Sequence, residues 1–96
     1  MDNLNLSSVV SRNDDVAYTY IDDEMVLMGA EDGLYYGINC VGAEIWKHLE
    51  NGMMSIQNIC NYLQTLYVVS EEQCFVDAID FIRHMHEKTM LIIKAP

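Results

Sequence analysis

Three cysteines, three histidines and fifteen carboxylates are the residues of this chain that could do chemistry. Cys40, Cys60 and Cys74 lie 20 and 14 positions apart, with no Cys-x-x-Cys frame and no zinc-site spacing. An odd number so widely spaced fits reduced, mostly buried thiols rather than a disulfide framework. His84 and His86 stand two apart, about 200° around a helix, so they cannot ligate one ion from one face. His48 stands alone, and all three histidines are expected at the surface. A cysteine and a histidine could meet in space as a nucleophile pair, but none sits in a recognisable local frame. The paired acids Asp14-Asp15, Asp22-Asp23 and Glu31-Asp32 fall where turns are expected, and no twelve-residue calcium loop surrounds them. Gly29, Gly33, Gly37 and Gly42 are spaced for turns, and no Gly-Lys-Ser/Thr follows them. No metal, no cofactor and no enzymatic activity is expected.

The elements around these residues follow from composition and pattern. Ninety-six residues make one domain with one modest core. The chain is 51% hydrophobic and 21% charged, a globular balance. Five basic residues against fifteen acidic ones give a net charge of -10. Such a chain is poorly suited to nucleic acid or to an anionic membrane surface, both of which need clustered Lys and Arg. Residues 1–50 carry ten acids and two bases (net -8), and residues 51–96 carry five acids and three bases (net -2). Met1 to Leu6 has neither a basic segment nor a long apolar run, so no signal peptide is expected and the chain is read as cytoplasmic. No apolar run is long enough to span a membrane.

All five glycines lie in the first 52 residues, and the remainder is periodic. The asymmetry predicts an α+β domain, with three short antiparallel strands followed by three helices. The strands are Val16–Ile21, Glu24–Ala30 and Leu34–Asn39, with Asp22-Asp23 and Glu31-Asp32-Gly33 as turns. The middle one is nearly continuously apolar, as a central strand should be. Ser8–Ser11 is a further short candidate.

Asn39, Ser55 and Ser70 are suited to cap helices. The first helix carries Val41, Ile45, Trp46 and Leu49 to a stop at Gly52. The second carries Ile56, Ile59, Cys60, Leu63 and Leu66 to Tyr67, and the third opens on the capping-box pattern Ser70-Glu71-Glu72-Gln73 and runs to about Thr89. Met90–Lys94 is an apolar tail that can pack on the sheet or the last helix. Strands followed by closely linked helices read as a winged helix-turn-helix-like fold, which elsewhere serves DNA binding; the charge argues against a transcriptional regulator here. On the third helix, Phe81, Cys74, Met85, Ala78 and Ile82 form a normal core stripe. Phe75, Val76 and Ile79 are surplus to it.

Three segments in order carry a family resemblance: Asp22-Asp23-Glu24-Met25-Val26-Leu27-Met28, then Gly33-Leu34-Tyr35-Tyr36-Gly37-Ile38-Asn39, then Gly42-Ala43-Glu44-Ile45-Trp46. The chain resembles the PqqD-like family over roughly Val9 to Ile93. That family takes its name from pyrroloquinoline quinone synthesis protein D and is also called the RiPP precursor-peptide recognition element. Ile38 stands where the family has Leu, Asp77 is the expected acid of the last helix, and Thr89 stands where the family often has Gly. The resemblance implies that residues 1–96 are a single non-catalytic module. It implies binding of the leader segment of a ribosomal precursor peptide and presentation to modifying enzymes. For a freestanding lasso-peptide member these are a leader-cleaving cysteine protease and a macrolactam cyclase; the alternative is a radical-SAM peptide-modifying enzyme.

The physical mechanism is strand addition. The strand Leu34 to Asn39 should be an edge, open to an extended peptide that pairs antiparallel. Leu34, Tyr36 and Ile38 would face one side, Tyr35 and Gly37 the other. On the family's pattern, Phe75, Val76, Ile79 and Arg83 of the third helix wall a groove beside it. Tyr35 and Phe75 serve equally well as core residues on the sequence alone, and Trp46 and Tyr36 are read as core. The seven methionines are either core filler or an adaptable peptide-binding surface.

Overall fold

A computed structural model describes residues 4–22, 24–29 and 33–94. The elements are β1 (Val9–Arg12), β2 (Ala17–Ile21), β3 (Glu24–Met28), β4 (Tyr35–Ile38), α1 (Cys40–His48), β5 (Met54–Ser55), α2 (Ile56–Leu66), α3 (Glu71–Glu87) and β6 (Leu91–Lys94). A 3₁₀ turn at Leu49–Asn51 extends α1. The strands form two antiparallel three-stranded sheets, β2-β3-β4 and β5-β1-β6.

The first sheet is the pair of hairpins that alternation and turn residues predict. Its register runs Ile21↔Glu24 through Ala17↔Met28, then Met25↔Ile38 through Met28↔Tyr35. Met25 and Leu27 of the central β3 point into the core. Asp22 takes φ 50 at the first turn, a conformation Asp tolerates better than most residues. Asp23 and the Glu31-Asp32 part of the second turn lie outside the described residues.

The second sheet corrects the expectation of one three-stranded sheet followed only by helices. β5 precedes α2, and the apolar tail after α3 is a strand, pairing Arg12↔Leu91 through Val9↔Lys94. The tail alternates in exposure, Leu91 buried and Ile92 exposed, so its period is two. Four residues are too few to reveal that period unaided.

What turns the chain from α3 into β6 is a Schellman motif. Thr89 N–H donates to His86 O at 3.0 Å and Met90 N–H to Met85 O at 2.9 Å. The motif places Thr89 at φ 59, a position that favours glycine and strains a β-branched side chain. Asn13 secures the turn, its side chain donating to Thr89 O at 2.7 Å and its N–H to Met90 O at 3.0 Å.

The three helices start at the expected caps. The side chains of Asn39, Ser55 and Ser70 accept from the main-chain N–H of Gly42, Asn58 and Gln73. The Gln73 side chain does not close the capping box but donates to Asp77 Oδ1 at 2.8 Å. The core forms where α1, α2, α3 and both sheets meet, around Trp46, Ile45, Ile59 and Ile82. Cys60 and Cys74 lie within it, with Cys74 Sγ 3.7 Å from Cys60 O, whereas Cys40 is exposed. Burial, with Cys74 beside it, pushes the Cys60 thiol from 9.0 up to about 12. Burial also raises the Cys74 thiol.

Replacing Thr89 by Gly relieves the left-handed strain, and the Thr89→Gly protein should gain about 1 kcal/mol in urea denaturation despite the freer unfolded chain. A thiol reagent should modify one cysteine per native chain, Cys40, and all three only after unfolding; mass spectrometry counts the adducts. The Cys60 shift contributes stability that is whole below the unfolded thiol's value and lost as pH rises toward the folded one. The drop in urea midpoint between about pH 8 and about pH 11 should therefore be smaller in Cys60→Ala.

Candidate functional site

β4 is an outer strand of its sheet, paired with β3 on one side. The pleat sorts its side chains: Tyr36 and Ile38 are half-buried against the core, while Tyr35, 69% exposed, and Gly37 point outward. Leu34, just before the strand, is exposed as well. An outer strand presents main-chain donors and acceptors along its free side.

A continuous groove runs from β4 to α3. One part, about 190 Å³, is lined by Tyr36, Gly37, Ile38 and Asn39 on the strand side and by Phe81, His84 and Met85 on the helix side. It shares Asn39, Phe81 and His84 with a cleft of about 440 Å³ whose other walls are Val41, Gly42, Asp77 and Asp80. The floor is aromatic and aliphatic; one rim is acidic. At the other end, Lys88 Nζ stands 4.6 Å from the centre of the Tyr36 ring.

The helix wall is a different flank of α3 from the one expected. Phe75 lines a separate cavity of about 650 Å³ with Asn5, Leu6, Ser7, Glu71 and Glu72. Ile79 is only 7% exposed and belongs to the core, Val76 is 52% exposed, and Arg83 is exposed. Phe75, Val76, Ile79 and Arg83 are not among the described residues that line these two parts of the groove. The stripe Cys74, Ala78 and Ile82 faces inward, which sends the two neighbouring flanks to opposite sides. Phe81 and His84 sit about 120–180° around the helix from Phe75 and Ile79. The apolar surplus lies on one flank and the groove beside β4 on the other.

Several other titratable groups are engaged elsewhere. His48 stacks on Tyr62 with ring centres 3.9 Å apart. His86 Nδ1 lies 3.0 Å from Leu91 O, and since a carbonyl only accepts, that nitrogen donates. Lys47 is held above the usual lysine range by its hydrogen bond to Tyr20, with Glu44 adding. Desolvation raises Tyr62, and Glu44 adds to this. Among the described residues, no three His, Cys, Asp or Glu side chains converge as metal ligands. No helix among them is long and apolar enough to cross a membrane. The groove offers main-chain pairing, an apolar floor and charged ends, which is equipment for holding an extended peptide.

Known proteins match this architecture. The family model described as coenzyme PQQ synthesis protein D (PqqD) matches residues 24–91, more than half of the chain. A search of curated proteins finds no match. Among solved structures, TbiB1 in complex with the TbiA(beta) leader peptide is 32% identical, with a TM-score of 0.78 over 90% of this chain and 99% of that one. A lasso peptide synthetase B1 complexed with the leader peptide is 22% identical and shares the fold, with a TM-score of 0.74 over 86% of this chain and 96% of that one.

The groove floor depends on one glycine. A Cβ on Gly42 would stand 2.5 Å from Phe81 Cε1, so only glycine lets the ring lie against the first turn of α1. Gly42→Ala should push Phe81 outward and cost about 1–2 kcal/mol in urea denaturation. Gly37→Ala, where a Cβ meets nothing within 4 Å, should stay within about 0.5 kcal/mol of the parent.

Proposed function

Because this chain belongs to the PqqD family, we propose that it captures the leader segment of a ribosomally made precursor peptide and holds it for modifying enzymes without catalysing a reaction itself. The leader adds as an antiparallel strand along β4, with Leu34 to Ile38 supplying the pairing edge. Its alternate side chains enter the groove over Phe81, His84 and Met85. The winged helix-turn-helix-like arrangement of the hairpin sheet and helices then serves peptide rather than DNA, consistent with a net charge of -10. The observation that carries this reading is an outer strand beside an apolar groove, in a chain 32% identical to a protein solved with a leader peptide.

The enzymes that receive the leader are, on this reading, a leader-cleaving cysteine protease and a macrolactam cyclase. The B1 proteins among the structural neighbours favour that pathway over a radical-SAM partner.

Two or three leader side chains buried at roughly 1.5–3 kcal/mol each, less the cost of ordering the peptide, give a dissociation constant near ~1 μM. The test is a fluorescence-anisotropy titration of the labelled leader encoded beside this gene, with a scrambled leader as control. The leader alone should saturate the protein. Phe81→Ala should weaken binding by about tenfold or more, the loss of one buried aromatic contact. A folded protein that does not bind the leader, or equal affinity in Phe81→Ala, overturns the proposal.

A further inference from the structure

The groove is electrically polar along its length. Asp77 and Asp80, one turn apart on α3, rim the cleft at the Asn39 end. Gln73 donates to Asp77 Oδ1 and orients that carboxylate toward its own side of the helix. Lys88, against the Tyr36 ring, occupies the other end. The helix wall carries the charges, and the uncharged strand wall lies alongside it, Asn39 at the Asp77–Asp80 end and Tyr36 at the Lys88 end. From Tyr36 to Asn39 the strand rises about 10 Å, and from Asp80 to Lys88 the helix rises about 12 Å. Between the ends lies the apolar floor made by Phe81 and Met85.

A strand that pairs antiparallel to β4 enters at the Asn39 end and leaves at the Tyr36 end. Its N-terminal part therefore passes the acidic rim first. Side chains on one face recur every second residue, about 7 Å apart. Resting on the strand-addition reading, we infer that the groove selects leader segments by charge order. A Lys or Arg meets Asp77 and Asp80, two or four positions N-terminal to an apolar residue that meets Phe81. Lys88 repels the same cation at the other end, so the charge order also sets the direction of the peptide. Long-range attraction by a chain of net charge -10 favours the same ligands before contact.

The experiment is a display selection of random sixteen-residue peptides on the immobilised chain and, in parallel, on Asp77→Asn/Asp80→Asn. Enriched peptides are then synthesised with Lys or Glu at the selected position and titrated by anisotropy. On the parent chain, Lys or Arg should be enriched two or four positions before an aliphatic or aromatic residue. The Lys peptide should bind about fivefold or more tightly than its Glu counterpart. On the double variant the apolar preference should persist while the basic one disappears. Enrichment of apolar residues without a basic one, a basic residue on the C-terminal side, or a basic preference that survives in the variant overturns the charge-order inference alone. Absence of any enrichment above the bare matrix by the folded chain overturns strand addition, and this inference with it.

Discussion

Arg12 is the joint on which the arrangement depends. It ends β1, yet its guanidinium reaches α1, where Nε donates to Trp46 O at 2.8 Å and Nη2 donates to the same oxygen. That carbonyl lies in the last turn of α1, where intrahelical partners run out and the helix end is partially negative. The guanidinium also stands 4.6 Å from the centre of the Trp46 ring and 5.1 Å from that of Tyr18 on β2. One side chain thus joins β1, the hairpin sheet and the first helix. Lysine could supply the charge but not the fork and the flat face. Trp46 in turn is fully buried and meets Tyr18 edge to face, with ring centres 6.1 Å apart. Its Nε1 has no hydrogen-bond partner among the described residues. That costs free energy, and the large indole face that carries Arg12 and Tyr18 offsets it.

The groove inherits its geometry from this joint. Arg12 fixes the C-terminal end of α1 against β1 and β2. At the other end, Asn39 both terminates the β4 segment and caps α1. The Gly42–Phe81 contact then sets α3 against the first turn of α1. Strand, cap and helix wall are therefore connected through α1. The groove lies between them, with Lys88 against the Tyr36 ring at its far end.

The parts of this design that were legible in the sequence are those written locally. Caps at Asn39, Ser55 and Ser70 need one side chain and the three residues after it. The hairpins of the first sheet need only alternation and turn residues, and β4 at the edge follows from where the chain leaves for α1. Non-local pairing was not legible. The tail Leu91–Lys94 becomes a strand because β1 offers it a ladder, and β1 lies some eighty positions earlier. The choice of groove flank on α3 was hidden for a related reason. Phe75 and Val76 advertise themselves by being apolar beyond the core stripe, whereas Phe81 looked like core. Only the small residue at Gly42 hinted that an aromatic ring lies against α1, and the family motif had marked that position without giving its partner. Thr89 likewise stands at a glycine position whose backbone demand appears only once the turn is built.

The hairpin sheet has two outer strands, and their surroundings differ. β2 is exposed along its whole length and carries Tyr18 and Tyr20. Those rings are already engaged, Tyr18 with Trp46 and Arg12, Tyr20 with Lys47, whose Nζ stands 5.5 Å from its centre. The cleft beside Tyr20, about 440 Å³, is rimmed by Glu24, Glu44 and Lys47 and so is more charged than the floor beside β4. Beside β4 the main-chain bonds of an added strand would come with an apolar floor, and on the proposed strand addition that floor is what would discriminate among peptides. Affinity from a ladder is indifferent to sequence; burial over Phe81 is not. On the proposed strand addition, holding falls to the edge and choosing to the floor, two different elements that are both anchored through α1.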